Sequence, residues 1–109
     1  MNELCNVYGL IDTRSKRIFY IGCTRDAVLE RTKVHITNAK YPQITQKTFR
    51  HTLSKNETIL NILNEGKNVE YIILCTCSKN EADYYEQLFY DLLVKAGNIL
   101  HQRKNVGYK

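Results

Sequence analysis

The sequence predicts an α/β chain of the α+β kind, a small, mostly antiparallel three-stranded sheet flanked by helices. Three observations carry that expectation. Two short apolar and aromatic runs, LCNVYGLI at residues 4–11 and RIFYIGC at 17–23, bracket the polar segment DTRSK, which is the pattern of a β-hairpin. A third run, VEYIILCTC at residues 69–77, is rich in strand formers. Elsewhere the apolar residues recur at helical spacing rather than in alternation.

Taken in order, the hairpin places Tyr8 and Tyr20 on adjacent strands, with Gly9 and Gly22 permitting a bulge or close backbone approach. Asp26 is the expected cap of a helix in which Ala27, Val28, Arg31, Val34 and His35 recur at helical intervals. That helix should end before Tyr41-Pro42, because the residue preceding a proline is biased away from the α region. Residues 43–55 hold only scattered apolar anchors and read as a short helix or an exposed connection. Ile59, Leu60, Ile62 and Leu63 mark a further helix, and Gly66 is suited to its C-cap.

Residues 69–77 should be a central or edge strand. Ser78-Lys79-Asn80-Glu81 has the form of a capping box. A long helix then runs to about Ala96, with Ala82, Tyr85, Phe89, Leu92, Leu93 and Ala96 facing inward and Gly97 supplying the stop. Ile99-Leu100 could form a last short strand. HQRKNVGYK reads as a mobile basic tail from about residue 102, or as a local closure over a site.

Length and charge narrow the function classes. At 109 residues and 12.8 kDa, with 43% hydrophobic and 25% charged residues, the chain can bury one core and reads as a single domain over 1–109. There is no internal repeat, low-complexity segment or membrane-length apolar run. The opening residues lack the pattern of a targeting segment. Sixteen basic residues against eleven acidic ones give a net charge of +5. Ten of the basic residues and four of the acidic ones lie within residues 1–55, so the positive field belongs to the first half and suits a polyanionic partner. Four cysteines without a secretory signal favour free thiols in a cytoplasmic or other reducing intracellular compartment. Cys75 and Cys77 should share a strand face, and no recognised zinc spacing is present.

Some side chains stand out chemically. Arg31 and His35, four apart, project from one helix face, where an arginine can neutralise phosphate and a histidine can bond phosphate or water. On spacing alone they read equally as an ordinary surface pair, and Tyr8 and Tyr20 as cross-strand packing. Glu86 approaches the apolar stripe of the last helix, where a carboxylate needs a partner, a metal or water.

Taken jointly, NVYGLI, FYIG, ERTKVH and EADYYEQLFYDLL resemble the GIY-YIG nuclease superfamily in order and approximate spacing, over roughly residues 6–101. Val7-Tyr8 matches the end of the first motif, with Asn6 where that motif commonly has glycine, and Tyr20-Ile21-Gly22 matches the second directly. The resemblance implies a GIY-YIG-like fold and a divalent-metal-dependent endonuclease that hydrolyses nucleic-acid phosphodiester bonds, with DNA favoured over RNA. It assigns Arg31 to phosphate binding, His35 to the polar position one turn on, and Glu86 to the metal, magnesium first and manganese second. Tyr8 becomes the general base or water activator and Tyr20 a second tyrosine that supports or positions the nucleophile. Where the family has a late asparagine, either His101 or Asn98 stands. Lys33, Lys40, Lys47, Arg50, Lys55, His101, Arg103 and Lys104 would extend the nucleic-acid footprint by phosphate contact. A homodimer or a targeting protein is a conceivable partner and a membrane is not. The alternative is a catalytically inactive nucleic-acid-binding or inhibitory protein on the same scaffold. A module docking an acidic protein surface is the third reading.

Overall fold

Successive side chains of a strand point to opposite faces, so the alternating runs near the start of the chain can serve two packing layers at once. The computed structural model describes residues 3–41 and 50–101, and side chains in the second stretch from residue 54 onward. The first two runs form β1 (Leu4–Asp12) and β2 (Arg17–Thr24). They are followed by helices α1 (Val28–Lys40) and α2 (Arg50–Asn64), strand β3 (Val69–Ser78), one 3-10 turn (Lys79–Glu81) and helix α3 (Ala82–Lys95). The sheet order is β2-β1-β3 with both pairings antiparallel. β1 is therefore central, and β3 takes the edge position of the two considered for it. This is the expected α+β architecture.

Asp12 builds the hairpin turn. Its carbonyl accepts from the amides of Ser15 and Lys16 at 3.2 and 2.7 Å, and its carboxylate accepts from the Arg14 amide at 2.9 Å. Lys16 takes a left-handed φ of 62° to close the turn. Each pairing of β1 carries one irregularity. The register jumps from Leu10↔Tyr20 to Ile11↔Ile18, which leaves Phe19 as an extra residue, and from Val7↔Cys75 to Tyr8↔Ile73, which leaves Leu74 as the other. A bulge re-aims side chains. Here it lets the adjacent residues Phe19 and Tyr20 both pack against one cluster.

That cluster joins Tyr8, Leu10 and Phe19 to Val28 and Ala39 of α1, to Ile59 and Ile62 of α2, and to Val69. The opposite face gathers Cys5, Val7, Ile21 and Cys77 against Ala82, with Tyr85, Phe89 and Leu93 of α3 beside them. The alternation of β1 thus separates α1 and α2 on one face from α3 on the other. Cys5 pairs directly with Cys77 and Val7 with Cys75, so the two cysteines of β3 do share a face. All four thiols are free.

Several local expectations differ from the structure. Asp26 does not cap α1. The cap position is Ala27 and no side chain bonds there, because the Thr24 hydroxyl takes the Asp26 amide at 3.0 Å and turns the chain before the helix starts. The inward stripe of α1 is Val28, Thr32, His35 and Ala39. Val34 lies about 100° around the helix from His35 and is exposed. Leu92 and Ala96 are likewise exposed rather than inward, since the stripe of α3 runs through Ala82, Tyr85, Phe89 and Leu93. The capping box at Ser78 and Glu81 is present, but it opens the 3-10 turn ahead of α3.

Ile99-Leu100 is not a strand. The chain there is tied to β2 by the Asn98 side chain, which accepts from the Ile18 amide at 3.1 Å and donates to the Leu93 carbonyl at 3.0 Å. A single backbone bond follows, from His101 to the carbonyl of Phe19 at 2.8 Å. Gly97, at φ +96°, makes the bend. Among the described residues, no helix is long and apolar enough to cross a membrane. The expected tail beyond residue 101 and most of the connection at 43–55 lie outside the described residues.

Candidate active site

Two helical stripes aim polar groups into the layer beneath α1 and α2. On α1 the core positions 28, 32, 35 and 39 include His35, and on α2 the spacing of Lys55, Ile59 and Ile62 puts a lysine in line with two fully buried isoleucines. Both polar side chains are consequently inside, His35 at 2% and Lys55 at 7% exposure, next to Tyr8 at 1%. Such groups persist in a core only when hydrogen-bonded. The Tyr8 hydroxyl meets His35 Nε2 at 2.7 Å, and His35 Nδ1 meets Lys55 Nζ at 2.9 Å.

Tyr20 closes this group from the side. Its ring stands edge-on to the His35 imidazole with centroids 5.0 Å apart, 6.5 Å from the Tyr8 ring, and Lys55 Nζ lies 5.3 Å over its centroid, within cation-π range. Gly22, directly opposite Tyr8 in the ladder, makes the approach possible. A Cβ built there would fall 2.6 Å from the Tyr8 hydroxyl and 3.0 Å from Tyr20 Cε2.

Burial governs the electrostatics. It pushes the Tyr8 hydroxyl well above the usual tyrosine value, aided by Tyr20 and opposed by a hydrogen bond and the charge of Arg31. Tyr20 is raised by the same cause. Burial, with the positive charges of Lys55 and Arg31, lowers His35 to about 3. Lys55 falls to about 8 through burial and then Arg31. At neutral pH the Tyr8 phenol and the His35 ring are therefore both uncharged.

Glu86 comes from the other face. It is half-buried on the edge of the α3 stripe and raises Tyr20 and Cys23 electrostatically. Arg31 from α1 lowers that same Tyr20, so the two side chains act on one ring with opposite signs from opposite layers. Burial first, and then the charge of Asp83 one turn back, push the Glu86 carboxyl up to about 7. Glu86 makes no hydrogen bond or ion pair among the described residues. A half-buried carboxylate in that condition fits a hard divalent cation, which binds oxygen donors and keeps waters of its own. Glu86 is the residue that could hold such an ion, with water and substrate supplying the remaining oxygens; no group of three or more His, Cys, Asp or Glu side chains suited to a metal occurs among the described residues. Asp83 and Cys23, both coupled electrostatically to Glu86, line a cleft of about 310 Å³ with Cys5, Thr24, Arg25, Lys79 and Ala82, of which Glu86 itself is not a wall.

Tyr8, Tyr20, Arg31 and His35 are thus neighbours, with Glu86 in electrostatic contact through Tyr20. The described residues among those expected to touch nucleic acid are dispersed. Lys33 is exposed and 3.6 Å from Glu30, and Lys40 is exposed at the end of α1. Lys55 directs its ammonium into the core at His35 rather than outward. Sequence reading missed that role, although its seven-residue register with Ile59 and Ile62 is the signal that could have found it. The His101 ring lies tilted against Phe19, with centroids 6.4 Å apart, in a separate cleft of about 380 Å³ with Arg14 and Arg17. Arg17 is engaged there by the Gly97 carbonyl at 2.8 Å. Asn98 is occupied by its two bonds to Ile18 and Leu93. Asn6, at the irregular position of the first motif, accepts from the Thr76 hydroxyl at 2.7 Å. Lys47, Arg103, Lys104 and the side chain of Arg50 lie outside the described residues. In comparisons with known proteins, no family profile, no curated protein and no solved structure matches the chain.

Proposed function

We propose that this chain is a GIY-YIG-type endonuclease that hydrolyses nucleic-acid phosphodiester bonds, DNA by preference, with the help of a divalent cation. The observation that supports this best is the buried Tyr8–His35 hydrogen bond of 2.7 Å with Tyr20 and Arg31 against it. These four residue types have a joint use in hydrolysis that none has in packing alone. Tyr8, as its own proton leaves toward His35 Nε2, takes the proton of the attacking water, Arg31 neutralises phosphate charge, and Tyr20 orients the nucleophile. Glu86 would hold magnesium, or manganese in its place. A bound ion of this kind polarises phosphate oxygen and stabilises the leaving oxyanion.

A second reading rests on a specific observation, the 1% exposure of Tyr8. A base must meet water, and a tyrosine closed into the core suits a nucleic-acid-binding or inhibitory protein on the same scaffold. Incubation of the intact protein with labelled DNA and RNA of several structures, with and without magnesium, separates the two. The nuclease reading expects magnesium-dependent product that Glu86→Gln abolishes. Retained binding with no product across metals and substrates would replace it with the silent one.

A further inference from the structure

We propose that Lys55 is the terminal proton acceptor for Tyr8, reached through the His35 ring, so that Tyr8, His35 and Lys55 form one proton relay. Lys55 acts on Tyr8 only through His35 and is in that sense a positioning residue. The inference rests on the reading of Tyr8 as the base that meets the nucleophile.

The relay follows from what an imidazole can do. A neutral ring has one N–H donor and one lone-pair acceptor. Both nitrogens of His35 are engaged, Nε2 by the Tyr8 hydroxyl at 2.7 Å and Nδ1 by Lys55 Nζ at 2.9 Å, and burial keeps the ring neutral. The two bonds must therefore agree in direction. When Lys55 is an ammonium it can only donate, so Nδ1 accepts, the ring proton sits on Nε2, and that N–H donates to the Tyr8 oxygen. When Lys55 is a free amine it can accept from Nδ1–H, which leaves the Nε2 lone pair to accept from the Tyr8 hydroxyl.

In this second arrangement the proton can pass along. The Tyr8 O–H bond breaks as Nε2–H forms, and Nδ1–H breaks as a third Nζ–H forms. One proton has moved from Tyr8 to Lys55, giving phenolate and ammonium, while His35 remains neutral and the net charge of the three groups is unchanged. A buried histidine that resists protonation thus conducts a proton without storing it. The groups facing Lys55 are His35 and Arg31 from α1, Tyr20 from β2 and, through His35, Tyr8 from β1. Arg31 is the charged one among the described residues, and with burial it lowers Lys55 to about 8, which brings the amine within reach of mildly alkaline solution.

The test is the proton position on His35, read by nitrogen-15 NMR of the intact labelled protein between pH 6 and 10, with Lys55→Met beside it. The relay requires a change from the Nε2–H to the Nδ1–H tautomer as pH rises through about 8. In Lys55→Met, which keeps the stem volume without the amine, the change should be absent. A tautomer that does not vary with pH in the intact protein, or one that changes identically in Lys55→Met, overturns the relay. The intact series alone decides this if the variant fails to fold. The NMR reading is independent of cleavage, so a protein that shows the switch yet cuts nothing would refute the nuclease assignment and with it the relay's role at the nucleophile, while leaving the Lys55-driven reversal of the His35 hydrogen bonds in place. Where cleavage occurs, Lys55→Met should lower its rate by about 100-fold, the lower end of a general-base contribution, and remove the rise through pH 8. An unchanged pH profile counts against the relay.

Discussion

Glu86→Gln should stabilise the protein in metal-free solution above neutral pH. The carboxyl is raised from 4.5 to about 7 by burial and by Asp83, so the folded state binds more protons than the unfolded chain between those values. The corresponding stability is full below pH 4.5 and is lost as pH rises through about 7. At pH 8 the ionised carboxylate costs about 3 kcal/mol on that shift, or about 2 kcal/mol once screening at its solvent-facing side is allowed for. Glutamine keeps the shape and removes the charge. Thermal unfolding in a chelator should show the variant melting roughly 8 °C higher at pH 8, given about 4 °C or more per kcal/mol for a domain of this size. The gap should close at pH 4. Magnesium should raise the melting temperature of the intact protein at pH 8 and leave the variant unmoved, because a ligand binding only the folded state stabilises by mass action. Equal stability of the two proteins at pH 8 would show that Glu86 is well solvated and would remove the reason to place a cation on it.

Two further perturbations probe the tyrosine-histidine core. His35 is lowered from 6.5 to about 3, so the unfolded chain binds the extra proton first; stability is present above 6.5 and is lost as pH falls toward 3, by about 5 kcal/mol in all. Denaturant melts of His35→Gln across that window should lack this component, and an unaltered acid slope would mean the ring is hydrated. Gly22→Ala should cost about 1–3 kcal/mol as an overpacked site, because its Cβ would fall 2.6 Å from the Tyr8 hydroxyl, and should displace the His35 nitrogen resonances. Intact-like stability and resonances would show that the Tyr8 tip is free to move aside.

The sheet was legible because strand signals are local. Alternation and β-branched residues in three runs mark β1, β2 and β3 without knowledge of what they pack against. The neighbourhood of Tyr8, Tyr20, Arg31 and His35 was legible at the level of motif order. Cap and face assignments were less so. Thr24 and Asp26 both can turn the chain before α1, and only the tertiary course of β2 decides for Thr24. Leu92 and Ala96 belong to a largely apolar helix, where residue type alone does not separate them from the inward stripe of Ala82, Tyr85, Phe89 and Leu93. Lys55 was hidden by its residue type, since a lysine in a polar stretch reads as solvated. Its inward direction becomes evident only when its register with Ile59 and Ile62 is weighed above its charge. Asn98 shows the converse, a polar residue near a suspected site whose hydrogen bonds are spent on holding the chain end to β2.

The most direct test of the central claim is single-turnover cleavage of labelled DNA in magnesium at pH 8 by the intact protein, Arg31→Ala and Glu86→Gln, each verified as folded. Product is expected from the intact protein, with losses of about 100-fold or more in each variant as phosphate stabilisation or the cation site is removed. Cleavage by Glu86→Gln at the intact rate would contradict that claim.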